Sequence, residues 1–167
     1  MAYCEIRPAR HEDVDVIVSL ILELARYERL EAQCQVSHER LTKELFGPNP
    51  VIHCVLAWEV DETRHTESPV GFALYFFNFS TFLTKRGLYL EDLFVQQAHR
   101  GKGYGRRLIQ HIAQEAVKQD CGRFDWVVLD WNQPAIQFYE KIGATVLPDW
   151  RVCRVEGEAL SKMAKGQ

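Results

Sequence analysis

Nine residues, Arg100-Gly101-Lys102-Gly103-Tyr104-Gly105-Arg106-Arg107-Leu108, place three closely spaced glycines among four cationic side chains. They follow the apolar run Leu88-Tyr89-Leu90-Glu91-Asp92-Leu93-Phe94-Val95 and lead into a helical pattern. Glycines at this spacing let the backbone turn tightly and aim successive N–H groups at one point. A helix N-terminus directly behind them adds its positive dipole end. Together with Arg100, Lys102, Arg106 and Arg107, the turn is a receptor for a polyphosphate such as a cofactor's pyrophosphate. The competing reading is a tight turn with no ligand. Two better-known phosphate loops do not fit the letters. No Lys-Ser or Lys-Thr follows the glycines, as a P-loop requires. The third glycine of Gly101-x-Gly103-x-Gly105 also comes too early for the dinucleotide fingerprint.

The second chemical signal is the acidic pair Glu91-Asp92 inside an otherwise apolar strand pattern. Burying carboxylates costs several kcal/mol unless they are paired or hydrogen-bonded, so chance placement is disfavoured. The functional reading makes Glu91 the group that takes a proton from a cationic substrate, with Asp92 beside it; the structural alternative is a salt-bridged pair. A third signal is the block Leu129-Asp130-Trp131-Asn132-Gln133-Pro134-Ala135-Ile136-Gln137-Phe138-Tyr139-Glu140-Lys141-Ile142-Gly143-Ala144. His53 reads as a core or edge histidine. Cys54 and Cys121 have nothing around them that would depress a thiol pKa.

The elements that must position these residues can be read in order. A short strand, Tyr3 to Arg7, ends at Pro8, and Val14, Ile17, Val18, Ile21, Leu22, Leu24 and Ala25 recur at helical spacing from about Glu12 to Arg29. Ser37 starts a second helix that stops at Gly47-Pro48. Val51–Val60, Val70–Phe79 and Gly87–Val95 read as an antiparallel set, with Asp61–Pro69 as the first hairpin loop. Their near-continuous hydrophobicity implies cover on both faces. Leu108, Ile109, Ile112, Ala113, Ala116 and Val117 line one face of a helix running from Tyr104 to near Cys121-Gly122. Phe124–Leu129 is the next strand. Asn132 as N-cap, Pro134 in the first turn and Gly143 at the C-terminus frame a further helix, and Val152–Val155 gives a last strand. The order is β-α-α-β-β-β-α-β-α-β in an α/β (α+β) fold.

Composition narrows the class. At 167 residues the chain is expected to form one domain, 1–167, and 47% hydrophobic content is enough for a substantial core. A net charge of −3 argues against nucleic acid as a partner, and the basic cluster at 100–107 is local. Five cysteines, odd in number and without a Cys-x-x-Cys, read as reduced thiols and not as a metal site, so no metal is expected. With no signal peptide or apolar span long enough for a membrane, a cytoplasmic location away from membranes is the expectation.

The pattern Arg/Gln-x-x-Gly-x-Gly/Ala, here Arg100-Gly101-Lys102-Gly103-Tyr104-Gly105, resembles the acetyl-CoA loop of the GNAT superfamily of N-acetyltransferases. The block from Leu129 to Ala144 resembles that family's second cofactor segment, about thirty residues on. The resemblance implies a mixed central sheet splayed at an acetyl-CoA site. It implies that the backbone of Leu93, Phe94 and Val95 holds the pantetheine and the thioester oxygen, and that Gly101, Lys102, Gly103, Tyr104, Gly105 and Arg106 cradle the pyrophosphate. Asn132, Pro134, Ala135 and Tyr139 would complete cofactor binding. Tyr139 would be the general acid for the leaving thiolate, and Glu91 the base. The segments Glu23-Leu24-Ala25-Arg26-Tyr27-Glu28 and Asp130-Trp131-Asn132, with the Tyr-Leu-Glu-Asp strand, are similar to the diamine acetyltransferases and their thialysine-acetylating relatives. Tyr27, Glu28, Glu91, Asp92, Ser80, Thr81 and Trp150 would then meet the acceptor amine. The neutral Ser80-Thr81, where spermidine/spermine enzymes carry an acid, points to a lysine-like amine over a long polycation. A homodimer is implied by the resemblance alone. A protein lysine or N-terminal acetyltransferase and a non-catalytic acyl-CoA sensor are the alternatives.

Overall fold

The computed structural model describes residues 2–166. They cluster into two compact units that meet in sequence at Val127 and Val128.

The first unit is built on one five-stranded sheet in the order β1-β2-β3-β4-β5. Strands β1 (Ala2–Pro8), β2 (His53–Asp61), β3 (Thr66–Ser80) and β4 (Lys85–Val95) are antiparallel, and β5 (Arg123–Asp125) runs parallel to β4. Helices α1 (Val14–Tyr27) and α2 (His38–Phe46) bury Val14, Ile17, Leu20, Leu24, Leu41 and Leu45 with Cys54, Leu56, Phe72, Leu74 and Phe94 of the sheet. Helix α3 (Tyr104–Lys118) packs on β1 through β4, and its Leu108, Ile109, Ile112 and Ala116 are buried. The cover on both faces expected from the unbroken apolar strands is present: every residue from Gly71 to Tyr75 is buried.

Local chemistry sets the connections. The Asp61–Pro69 loop expected between β2 and β3 contracts to four turn residues, 62–65, because Asp61 Oδ1 accepts from the backbone N–H of Thr63 and Arg64. Thr66–Pro69 thereby joins β3. Pro69, which has no N–H to give, sits where the register with β2 slips between Ala57 and Trp58. A second slip lies between β3 and β4. Leu74 opposes Asp92 and Tyr75 opposes Leu90, leaving Glu91 as the extra residue of a β-bulge.

The strand β5 is shorter than the expected Phe124–Leu129. Its ladder to β4 covers Gly87–Tyr89 and ends one residue before Leu90. Beyond that point β4 continues to Val95 with no ladder partner on this edge among the described residues. A bulge strengthens local twist, which turns β4 away from a straight neighbour. The splay expected from the resemblance is located here.

The second unit holds α4 (Gln133–Lys141) and α5 (Gly157–Ala164). Asn132 caps α4 as expected, its Oδ1 accepting from Ala135 N at 3.4 Å, with Pro134 in the first turn. The expected strand Val152–Val155 is a correction: these residues form no ladder among the described residues, and Val152 and Val155 are exposed. A short stretch with β-branched residues becomes a strand only where a neighbour supplies hydrogen bonds and a surface to pack on. Helix α5, not expected from the sequence, follows directly.

Candidate active site

The C-terminal half of α1 is tied by side-chain contacts to the segment that follows β4. Gln96 Nε2 donates to Glu23 Oε1 at 2.8 Å. One turn further along α1, the Arg100 guanidinium lies 4.2 Å from the centre of the Tyr27 ring and 5.6 Å from that of Phe94, while its Nε donates to the Val95 carbonyl at 2.9 Å. Arg100 is therefore a strap across the end of β4, at the entry to the glycine turn.

Glu28, Glu91 and Asp92 form an acidic cluster at this place. Asp92 opposes Leu74 in the ladder, is half-buried, and has its carboxyl pushed up to about 7, first by burial and then by the charges of Glu91 and Glu28. Burial also raises Glu28. Glu91 itself is exposed, which corrects the premise that the strand buries both acids. The bulge turns Glu91 outward at the point where β5 leaves β4, and the burial cost anticipated for the pair falls on Asp92. Such a cluster attracts a cation, and the half-buried member holds a proton near neutral pH that it can exchange.

The glycine turn lies beyond β4, at the start of α3. Gly101 and Gly103 have φ of 78° and 84°, and a Cβ added to either would meet nothing within 4 Å. Both positions thus use conformations that disfavour other residues, and both face open space. Gly103 is the N-cap of α3, no side chain caps the helix, and Arg107 N is bonded to Gly103 O as the first helical hydrogen bond. The N–H groups of Tyr104, Gly105 and Arg106 precede it and form the positive end of a fifteen-residue helix. Arg106 is exposed, whereas Arg107 reaches back to the Cys4 carbonyl.

Lys102 and Tyr104 are engaged by a residue the sequence reading did not select. Glu59 Oε2 accepts from Lys102 Nζ at 2.7 Å and from Tyr104 Oη at 2.5 Å, and its other oxygen lies 3.3 Å from His99 Nδ1. Lys102, and after it Tyr104, hold the Glu59 carboxyl at about 2. No local signal marks Glu59, because its partners lie some forty residues downstream.

Leu93 is half-buried, and Phe94 and Val95 are buried. Their strand carries the unpaired β4 edge, along which an extended ligand arm can add as a strand does. Ser80 and Thr81 are not brought to the acidic cluster within the first unit. Ser80 lies five strand residues beyond Tyr75, roughly 17 Å along β3, and its Oγ accepts from Leu83 N to close the hairpin turn. In the second unit Asn132 and Tyr139 are buried, the Tyr139 ring lies 5.4 Å from that of Phe138, Pro134 and Ala135 sit in the first turn of α4, and Trp150 is exposed. His53 stacks on Tyr75, and burial pushes the Cys54 and Cys121 thiols up, the reverse of what a nucleophile needs. Among the described residues no helix is long and apolar enough to cross a membrane.

The model of the acetyltransferase (GNAT) family matches residues 19–144. The chain is 38% identical over 169 residues to a thialysine N-epsilon-acetyltransferase of Mus musculus, covering 98% of this chain and 99% of that protein. It is 33% identical over 202 residues to an L-ornithine N5-acetyltransferase of Arabidopsis thaliana, covering 98% and 89%. Among solved structures, an integron cassette protein from the mobile metagenome of V. cholerae superposes with a TM-score of 0.77 at 30% identity, over 97% of this chain and 98% of that one.

Proposed function

From the premise that this chain belongs to the acetyltransferase (GNAT) family and is an N-acetyltransferase, we propose that it moves acetyl from acetyl-CoA to the primary amine of a small cationic acceptor, of lysine or ornithine type, by direct attack. We read both units as one catalytic domain. The observation that carries the acceptor class is the Glu28–Glu91–Asp92 cluster, whose mutual repulsion a bound ammonium relieves. Support also comes from the amino-acid acceptors named for the mouse and Arabidopsis relatives.

The residues of this chain divide the work. Gly101–Arg106, with the N-terminus of α3, receive the diphosphate, and the free edge from Leu93 to Val95 aligns the pantetheine arm and thioester. By the resemblance, Asn132, Pro134 and Ala135 also contact the cofactor. Tyr27, Glu28 and Trp150 receive the acceptor. The Glu91–Asp92 pair takes the amine proton. Glu91 is the exposed first contact, in line with the role expected from the sequence, and Asp92 is the half-buried acid able to accept the proton near neutral pH. The free amine attacks the thioester carbon, the C–S bond breaks, and Tyr139 gives its proton to the departing thiolate. The protein acts in the cytoplasm as a homodimer in this reading.

The test is release of CoA thiol from acetyl-CoA with lysine, thialysine, ornithine, putrescine, spermidine and a lysine peptide. Turnover is expected to be fastest with one of the amino acids. Preference for the peptide would replace the small-amine reading with a protein acetyltransferase, and absence of turnover with measurable CoA binding would replace it with a sensor. Tyr139→Phe is expected to lower kcat about 10²-fold while leaving the KM for acetyl-CoA within about twofold, which initial rates over both substrates measure.

A further inference from the structure

Lys102 stands in the glycine turn where a cationic side chain would meet a diphosphate, yet its ammonium is already neutralised. Glu59 reaches it from β2 at 2.7 Å. The same carboxylate oxygen takes the Tyr104 hydroxyl, and the other lies 3.3 Å from His99 Nδ1, so one acid takes two donors from the glycine turn with His99 beside it. The carboxylate side chain is largely covered, 17% exposed, whereas that of Lys102 is 46% exposed. This asymmetry matters: the lysine can swing toward an anion in solvent, and the acid, held by Tyr104 and flanked by His99, stays behind.

We propose that Glu59 sets the affinity of this protein for its cofactor by competing with the diphosphate for Lys102. The inference rests on the reading of residues 101–106 as the diphosphate receptor. Two like-charged ligands, one carboxylate and one diphosphate, contend for a single ammonium. The carboxylate also faces the incoming anion with its own negative charge. An enzyme that must release CoA after each transfer gains from this arrangement, because a lysine that falls back onto Glu59 weakens the hold on the product diphosphate. Glu59 is a positioning residue here, since it acts through Lys102 and not on the reacting atoms.

Glu59→Gln keeps an acceptor for Tyr104 while removing the charge that holds Lys102. Titration calorimetry with CoA is expected to show about 1.5- to fivefold tighter binding, the range for losing one partly exposed ion-pair competitor. Pantetheine, which lacks the diphosphate, is expected to bind both proteins alike, and Lys102→Met is expected to erase the effect of Glu59→Gln. Steady-state KM for acetyl-CoA should fall while kcat does not rise. Glu59→Thr, which suits a strand and carries no charge, is measured beside it, and melting temperatures show that each variant is folded. Unchanged or weaker CoA binding in a folded Glu59→Gln or Glu59→Thr protein would overturn the proposal, as would equal tightening for pantetheine. If Lys102→Met alone leaves the Kd for CoA unchanged, the assignment of that lysine to the diphosphate fails separately, and the competition falls with it.

Discussion

Asp92→Asn is expected to lower kcat/KM for the preferred amine by about 10²- to 10³-fold and to remove an inflection near pH 7 from its pH profile. The carboxyl sits at about 7 because burial, and then Glu91 and Glu28, penalise its charged form. Below pH 7 it is protonated and cannot take the amine proton, and above pH 7 it can, so the wild-type rate rises through that point. Asparagine preserves the shape and cannot titrate. Stability should move the other way. A carboxyl whose folded pKa lies above its unfolded value binds more protons in the folded chain, so its contribution to stability falls as pH rises from about 4 to about 7. At pH 8 the asparagine variant is therefore expected to be more stable, by about 1–4 kcal/mol in urea denaturation, and to match the parent near pH 4. Glu91→Gln separates the two acids: it is expected to raise the acceptor KM more than it lowers kcat, and to keep the inflection while moving it below 7, because one of the charges that raise Asp92 is gone. A wild-type rate in Asp92→Asn, with the inflection retained, would move the base elsewhere.

Gly101→Ala and Gly103→Ala are each expected to weaken CoA binding about tenfold or more while the proteins stay folded. At both positions the left-handed backbone strains an alanine by roughly 1–2 kcal/mol, and the new methyl enters the open space that the turn faces. The first effect appears in the melting temperature. The second appears only in binding, where each 1.4 kcal/mol is a factor of ten. Calorimetry with CoA, set beside thermal melts of the same samples, divides them. A melting shift with unchanged affinity would leave these glycines a role in the turn alone.

Much of this site was legible because its signals are local. Three glycines between an apolar strand pattern and an amphipathic helix describe a strand–turn–helix whatever surrounds them, and Asn132 with Pro134 describes a helix start. Glu91-Asp92 stood out for the same reason. What could not be read is what depends on registration between distant segments. The bulge that turns Glu91 outward and leaves Asp92 half-buried is a property of the β3–β4 pair, because one extra residue changes which acid faces the core. Glu59 is an ordinary strand glutamate until folding brings the 99–104 segment to it. The failed strand at Val152–Val155 has the same cause with the opposite sign: its letters favour extension, and no partner among the described residues completes it. Ser80 and Thr81 were selected by resemblance, and strand length, invisible in a motif, puts them at the far tip of a hairpin.

Arg100 ties two kinds of evolutionary change together. One side chain grips the last carbonyl of β4, at the threshold of the glycine turn, and lies over the ring of Tyr27. A lineage drifting toward a bulkier or less charged amine would first rework the end of α1 around that ring. Each such step would also loosen the brace that sets where the turn begins. New acceptors should therefore arise in this scaffold mainly by changes around Glu28 and beyond, with Tyr27 and Arg100 altered together or left alone.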